Sequence, residues 1–166
     1  DANNVIIRVP ATKGYENAPI IALQGHMDMV CEKTPTSTHN FDTDPIEVII
    51  EGDWMHANQT TLGADDGLGV ALALAMAEDP NVEHPRLEII ITSDEETGMT
   101  GAIALKPESV QARILLNLDS EDEGIFTVGC AGGRETTSTL DLSRAPLVAG
   151  SRKVDIHVTG LLRGHS

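Results

Sequence analysis

Short apolar runs, separated by polar segments that contain Gly and Pro, organise the chain. Apolar and β-branched residues predict strands at residues 4–9 and 20–24. Two continuous apolar runs of strand length follow at residues 87–92 and 113–118. Continuous runs are typical of strands that are covered on both faces in a largely parallel sheet. The pattern therefore predicts a sheet with at least two buried strands.

Local patterns predict helices and a hairpin between these strands. Residues 66–77 are apolar on every side and rich in good helix formers, which indicates a buried helix. A shorter helix is expected at residues 101–105. Residues 47–50 and 54–57 flank a Gly-Asp pair and predict a β-hairpin.

The order of strands and helices predicts the fold class. Alternating strands and helices indicate an α/β fold with a mixed, largely parallel sheet and flanking helices. A Pro- and Gly-containing connector at residues 144–150 places a domain boundary near residue 145, between segments 1–145 and 146–166. Three further strands are expected at residues 125–129, 135–142 and 153–159.

Composition restricts the partners of the protein. The 166 residues include 11 Lys and Arg against 26 Asp and Glu, a formal net charge of −15 that disfavours nucleic acid and anionic membranes. No apolar stretch approaches the roughly 18 residues of a membrane span, and no secretion signal is evident. Two cysteines are too few for a disulfide framework, so we expect a cytoplasmic protein. The first residue is Asp rather than Met, and we expect both ends to be cut from a longer chain.

A His-x-Asp pair follows the second predicted strand. His26 and Asp28 are two residues apart in extended chain, so their side chains project from the same face. The carboxylate can fix the tautomer and orientation of the imidazole, which leaves the other ring nitrogen free to bind a cation or accept a proton. Taken alone, such a pair is more often a surface turn, but its place directly after an apolar strand favours a functional pair.

Acidic side chains occupy three more positions at the ends of predicted elements. Asp65 lies in a glycine-rich turn before the helix, Glu95 and Glu96 follow the strand at 87–92, and Asp119 follows the last strand. These ends share one edge of a parallel sheet, where unpaired carboxylates would repel each other. A cation resolves that repulsion, and imidazole with carboxylates suits zinc, manganese or cobalt. Each segment alone also fits a solvated loop, and the acids before the helix also fit an N-terminal cap.

Taken in order, four motifs resemble the M20 family of dinuclear metallopeptidases. They read HMDMV at residues 26–30, TLGADDG at 61–67, DEETGMTGA at 94–102 and NLDS at 117–120. Within that family the chain is most similar to the aminoacyl-histidine dipeptidases. The resemblance implies hydrolysis of Xaa-His dipeptides, with residues 1–145 as the N-terminal part of a dizinc-exopeptidase-like catalytic domain. Residues 146–166 would begin an α+β lid domain.

The resemblance also implies a set of metal ligands. His26 and Asp119 would hold one divalent ion, Glu96 the other, and Asp65 would bridge the two. Zinc is the expected metal, with cobalt or manganese as alternatives. A non-proline cis peptide bond is expected between Asp65 and Asp66. The family's last metal ligand is a histidine far downstream, beyond residue 166.

Three residues receive catalytic roles by the same resemblance. Glu95 would be the general base, and Asp28 would orient His26. His165 would reach from the lid into the partner subunit's active site and stabilise the oxyanion. The substrate would be a small peptide, and the whole protein a homodimer.

Two alternatives stay open at the level of sequence. The metal motifs are shared by other M20 activities, so a tripeptidase, a deacylase or a carboxypeptidase is possible. A catalytically silent metal-binding module would also keep the fold.

Overall fold

The computed structural model describes residues 2–120, 122, 124–130, 132 and 136–159 of the chain. Backbone contacts divide the chain after Ile125 into two compact units. All helices and strands of the described residues lie in the first unit. The boundary predicted near residue 145, and the start of a lid domain beyond it, stay predictions.

The first unit contains six strands and three α-helices among its described residues. In chain order they are β1 (Val5–Val9), β2 (Ile21–His26), β3 (Val48–Glu51), β4 (Trp54–Ala57), α1 (Ala64–Glu78), β5 (Leu87–Thr92), α2 (Glu95–Gly98), α3 (Thr100–Ala104) and β6 (Ile114–Asn117). A single 3-10 turn at Pro107–Ser109 precedes β6.

Four of the strands form one mixed sheet in the order β1-β5-β2-β6. β2 pairs in parallel with both β5 and β6, while β1 runs antiparallel to β5. Ile21 lies opposite Leu87 on one side and Ile114 on the other, so β2, β5 and β6 end at the same edge. The prediction of a mixed, largely parallel α/β fold is confirmed, and β3 and β4 form the predicted hairpin.

The hydrophobic core lies between the two central strands and α1. Leu23 from β2 and Ile89 from β5 face the small side chain of Ala73 from α1, and all three are buried. Every residue of β5 is buried, as the continuous apolar run predicts. Full burial of a Leu or Ile side chain, such as Leu23 or Ile89, contributes about 1.5–3 kcal/mol to stability.

The prediction that α1 and β6 are covered on all sides is wrong for the described chain. Leu68 and Leu72 of α1 are 73% and 51% exposed, whereas Gly69 and Ala73, about 100° further round the helix, are buried. A helix of Ala and Leu has no polar face, so its sequence cannot indicate which face meets the sheet. β6 is one of the two edge strands of the sheet, and its apolar side chains, including Leu115, are exposed.

The three strands expected after β6 are also wrong. None of the described residues in segments 125–129, 135–142 and 153–159 belongs to a strand. Their apolar side chains are exposed, as at Phe126 and Val128. Strands need neighbouring backbone to accept and donate hydrogen bonds, which a β-like composition alone does not supply.

None of the helices in the described residues has the length and apolarity to cross a membrane.

Candidate metal centre

Three strand ends and the start of α1 bring the candidate side chains to one edge of the sheet. His26 is the last residue of β2, and Asp119 follows β6 after one intervening residue. Glu95 begins α2 shortly after β5 ends, and Asp65 lies at the beginning of α1. The parallel pairing of β2 with its two neighbours places these ends side by side.

His26 is the most buried side chain of the group and is held in one orientation. Only 1% of its side chain is exposed. Its Nδ1 lies 2.9 Å from the main-chain oxygen of Asp28, an acceptor, so Nδ1 carries the proton. Its Nε2 lies 3.0 Å from Oδ1 of Asp65 and 3.8 Å from Oδ2 of Asp119. Nε2 is therefore the ring nitrogen that faces the carboxylates. It donates to Asp65 when the ring is protonated and is free to bind a metal ion when the ring is neutral.

The four predicted metal ligands and the predicted base, Glu95, form two overlapping groups around His26. In the first, ligand atoms of His26, Asp65 and Asp119 all lie within 4.8 Å of one another. In the second, ligand atoms of His26, Glu95 and Glu96 also lie within 4.8 Å of one another. These five side chains, from four separate segments of the sequence, therefore converge on one small region.

Burial and mutual repulsion make two carboxylates of this region, Glu96 and Asp119, reluctant to ionise. Burial and the charges of Asp65 and Asp66 raise the pKa of Asp119 to about 6. Burial and the charges of Asp65 and Glu95 raise the pKa of Glu96. Burial alone would lower the pKa of His26, but its hydrogen bond to Asp65 and the nearby negative charges raise it instead. A divalent cation would relieve the same repulsion.

Asp28 ties the strand end of His26 to the turn that carries the two glutamates. Its two carboxylate oxygens accept hydrogen bonds from the backbone N–H groups of Glu95, at 3.0 Å, and Glu96, at 3.1 Å. Although burial opposes ionisation, these N–H groups lower the pKa of Asp28. The carboxylate lies 3.6 Å from Nδ1 of His26, so the ring donates its Nδ1–H to the main-chain oxygen of Asp28 rather than to its side chain.

The turn between β5 and α3 is packed closely against the N-terminal part of the chain. The carboxylate of Asp94 accepts hydrogen bonds from the hydroxyls of Thr97 and Thr100. A side chain at Gly101 would place its Cβ 2.4 Å from the main-chain oxygen of Ser93 and 2.5 Å from Oδ1 of Asn4. Only glycine fits at that position, so the turn that presents Glu95 and Glu96 has little freedom.

Asp66 has a role that the sequence analysis did not identify. The expected cis peptide bond between Asp65 and Asp66 is present, and the side chain of Asp66 turns inward, where it is buried. Its Oδ2 accepts a hydrogen bond from the backbone N–H of His26 at 3.1 Å. Burial raises the pKa of Asp66 despite that bond. The available signal was Gly25, a glycine inside a strand, which often marks a close approach by another group.

His165, the remaining candidate, lies outside the described residues. Its expected contribution from the lid stays a prediction.

The fold and the site together define an α/β domain that carries a divalent-cation site at the carboxyl edge of its sheet. One imidazole and several carboxylates, without thiolate, form a donor set that suits a hard or borderline divalent cation. The residues therefore fit a metal centre of the kind that the sequence predicts.

The chain belongs to peptidase family M20/M25/M40, whose model matches residues 22–152. Membership of this metallopeptidase family implies the use of divalent metal. The chain is 48% identical over 163 residues to the cytosol non-specific dipeptidase of Escherichia coli strain K12. The match covers 98% of this chain and 34% of that protein, so the chain spans about a third of the relative's length.

Solved structures show the same likeness. Aminoacylhistidine dipeptidase from Vibrio alginolyticus superposes with a TM-score of 0.70 and 47% identity, over 73% of this chain and 25% of that one. Aminopeptidase PepT from Bacillus cereus gives a TM-score of 0.56 and 32% identity, over 72% of this chain and 30% of that one. A tripeptidase from Staphylococcus aureus gives a TM-score of 0.57 and 25% identity, over 72% of this chain and 30% of that one.

Proposed function

We propose that this chain supplies most of the active site of a dinuclear-metal dipeptidase that hydrolyses Xaa-His dipeptides. The observation that carries the proposal is the convergence of His26, Asp65 and Asp119 with two glutamates at one sheet edge. The two relatives of 47–48% identity, one named a cytosol non-specific dipeptidase and one an aminoacylhistidine dipeptidase, support the substrate class.

Two divalent cations would share the site. His26 and Asp119 would hold one, Glu96 would hold the other, and Asp65 would bridge them. Zinc is the expected ion, with cobalt or manganese as alternatives. When bound, the ions supply Lewis acidity, which polarises the scissile carbonyl and lowers the pKa of a water molecule.

Glu95 is the general base in this proposal. Its carboxylate takes a proton from the attacking water and then returns it to the amine that leaves when the peptide bond breaks. Asp28 fixes the start of α2 by accepting the N–H groups of Glu95 and Glu96, so it holds the base at a set distance from His26.

The rest of the whole protein would complete the site. We assign the last metal ligand to a histidine beyond residue 166, and stabilisation of the oxyanion to His165 acting in the partner subunit of a homodimer. The net charge of −15 fits a protein without nucleic-acid or membrane partners, and the name of the Escherichia coli relative supports a cytoplasmic location.

A panel of substrates tests the proposal on the full-length protein. The measurement is the rate of hydrolysis of Xaa-His dipeptides, other dipeptides, tripeptides and N-acyl amino acids. Each rate is measured before chelation, after chelation, and after zinc, cobalt or manganese is restored. The proposal predicts that Xaa-His dipeptides are cleaved fastest, that a chelator abolishes cleavage and that a divalent cation restores it. Metal binding without hydrolysis of any peptide would instead indicate a silent metal-binding module.

Tripeptide hydrolysis is the second candidate. The likeness to structures named aminopeptidase PepT and tripeptidase favours it. Their TM-scores of 0.56 and 0.57, against 0.70 for the dipeptidase, make it the weaker candidate. Faster cleavage of tripeptides than of any dipeptide in the same panel would favour it.

A further inference from the structure

We propose that Asp66 is a positioning residue, which fixes the backbone of His26 so that the imidazole presents Nε2 to the metal centre. This inference rests on the proposed function, because it concerns how that centre is held in place.

Asp66 and Asp28 hold His26 at different points. The carboxylate of Asp66 accepts the backbone N–H of His26 at 3.1 Å, whereas the main chain of Asp28 accepts Nδ1 of the ring at 2.9 Å. The direction of Nε2 depends on both contacts, since a ring fixed only through Nδ1 could still shift with its backbone. Asp66 therefore completes the support of a residue whose side chain is only 1% exposed.

The carboxylate occupies a slot that two glycines leave open. A Cβ on Gly25 would lie 2.1 Å from Oδ2 of Asp66, and a Cβ on Gly69 would lie 2.2 Å from Oδ1. Neither glycine has a backbone angle in the left-handed region, so conformation does not require glycine at either position. Space does require it, because any larger residue would push the carboxylate away from His26.

A helix cap alone does not explain this arrangement. A capping carboxylate bonds to N–H groups of its own helix, and the N–H of Gly69 in α1 does face Asp66. The same carboxylate also reaches an N–H group in β2, 40 residues earlier in the chain. Only 3% of Asp66 is exposed, and burial of a carboxylate is costly unless it is hydrogen-bonded, so the bonds to His26 and Gly69 offset part of that cost.

The isosteric variant Asp66→Asn tests the role of the second oxygen. Asn has one acceptor and one NH₂ group, so an N–H donor would face either His26 or Gly69. Loss of a group that supports a metal ligand typically costs 10–100-fold in metal affinity or activity. We expect kcat of the full-length protein to fall by about that factor with little change in KM, and the visible spectrum of the Co²⁺-loaded protein to change. Glu78→Gln, which removes the same charge from an exposed site on α1, should change neither.

A pair of variants separates positioning from packing. Gly25→Ala should destabilise the protein because its Cβ meets Asp66, and adding Asp66→Ala should relieve that clash. The double variant should therefore recover thermal stability relative to Gly25→Ala, yet keep a kcat at least about 10-fold low and an altered Co²⁺ spectrum.

Three results of these experiments would contradict the role given to Asp66. Wild-type kcat and spectrum in folded Asp66→Asn, or in the folded double variant, would overturn the inference while leaving the proposed function intact. Failure of both variants to fold would also overturn it, since Asp66 would then serve the fold as a whole. A wild-type protein that binds no Co²⁺ and cleaves no peptide would overturn the proposed function and this inference with it.

Discussion

Glu95 and Glu96 are neighbours in the sequence, and the proposal gives them different tasks. Successive residues at the start of a helix point about 100° apart, so the two side chains approach one site from different directions. Both backbone N–H groups are bonded to Asp28, which fixes the origin of each side chain. At the scale of single residues, one carboxylate can therefore bind metal while the other transfers a proton.

The variant Glu95→Gln tests this division. Gln keeps the size of the side chain but cannot accept a proton, so kcat should fall by about 10²–10⁴-fold while metal content is unchanged. Turnover and bound metal are measured on the same preparation of the full-length protein. Glu96→Gln is the matched control and should lower metal content instead. Undiminished turnover in Glu95→Gln would show that Glu95 is not the base.

Gly101→Ala tests the close packing of the turn that carries both glutamates. Its Cβ would meet backbone atoms of Ser93, which cannot move as a flexible side chain could, so we expect a loss of about 1–3 kcal/mol in unfolding free energy. Gly98→Ala is the control, because its Cβ would find nothing nearer than 3.8 Å. Equal stability of the two variants in urea unfolding would contradict the packing described here.

The order of chemistry-bearing residues along the chain was enough to predict which side chains converge. His26 and Asp119 follow predicted parallel strands, and Asp65 lies at the beginning of the helix that packs on them. The role of Asp66 was not predicted because its partner is the backbone N–H of a residue 40 positions away. The sequence carries only an indirect signal of that contact, the glycine at position 25 inside a strand. The same reason hid Glu88, whose partners include the N–H groups of Gln111 and Ala112.

At the scale of elements, Glu88 links β5 to the segment that leads into β6. Its Oε2 accepts N–H groups from Gln111 at 2.7 Å and Ala112 at 2.9 Å, and its Oε1 accepts Nε of Arg8 at 3.2 Å. The residue is 2% exposed within an otherwise apolar strand. Because β6 leads directly to Asp119, this carboxylate sets the position of an element that the site depends on.

Glu88→Gln should destabilise the protein in a pH-dependent way. Although burial opposes ionisation, the N–H groups and Arg8 lower the pKa of Glu88 below its ordinary 4.5. A lowered folded-state pKa stabilises the fold above pH 4.5, and this contribution is lost as pH falls through the folded-state value. At pH 7 we expect a loss of about 1–3 kcal/mol, from the acceptor that Gln lacks.

Urea unfolding of the full-length protein at stepped pH measures this effect. The gap between wild type and Glu88→Gln should narrow as the solution becomes more acidic than pH 4.5. Glu83→Gln, at an exposed carboxylate bonded to Tyr15, should cost less than about 0.5 kcal/mol. A gap that stays constant into acid would contradict the assigned role of the carboxylate.

Element types were easier to predict than their burial. β5 was predicted as a buried strand and is one, because a run dominated by Leu and Ile fits a strand with neighbours on both sides. α1 was predicted as a buried helix. It is a helix, but Leu68 and Leu72 are exposed, which shows that apolar side chains are not always covered by another segment. Burial depends on which other segments reach a surface, and that is decided by tertiary structure.

At the scale of the whole molecule, charge dominates. The chain carries a formal net charge of −15, and its fold concentrates several carboxylates at one edge of the sheet. Two of these, Glu96 and Asp119, have raised pKa values. Burial disfavours the ionised form of each carboxyl group, and the negative charges of neighbouring carboxylates disfavour it further. Bound divalent cations should therefore stabilise the fold as well as take part in catalysis.

Removal of metal from the full-length protein tests that link. A cation that binds only the folded state at 100 times its Kd stabilises by about 2.7 kcal/mol, so chelation should lower Tm and added zinc should restore it. Differential scanning calorimetry with and without chelator measures the shift. A Tm independent of both chelator and zinc would mean that the carboxylate cluster does not hold a cation.

The most direct measurement of the central claim is anomalous X-ray diffraction at the zinc edge, from crystals of the full-length protein grown with zinc. The account predicts two anomalous peaks about 3.5–4 Å apart, with Asp65 between them, His26 and Asp119 beside one and Glu96 beside the other. Zinc peaks elsewhere, with none within reach of His26 and Asp65, would contradict it.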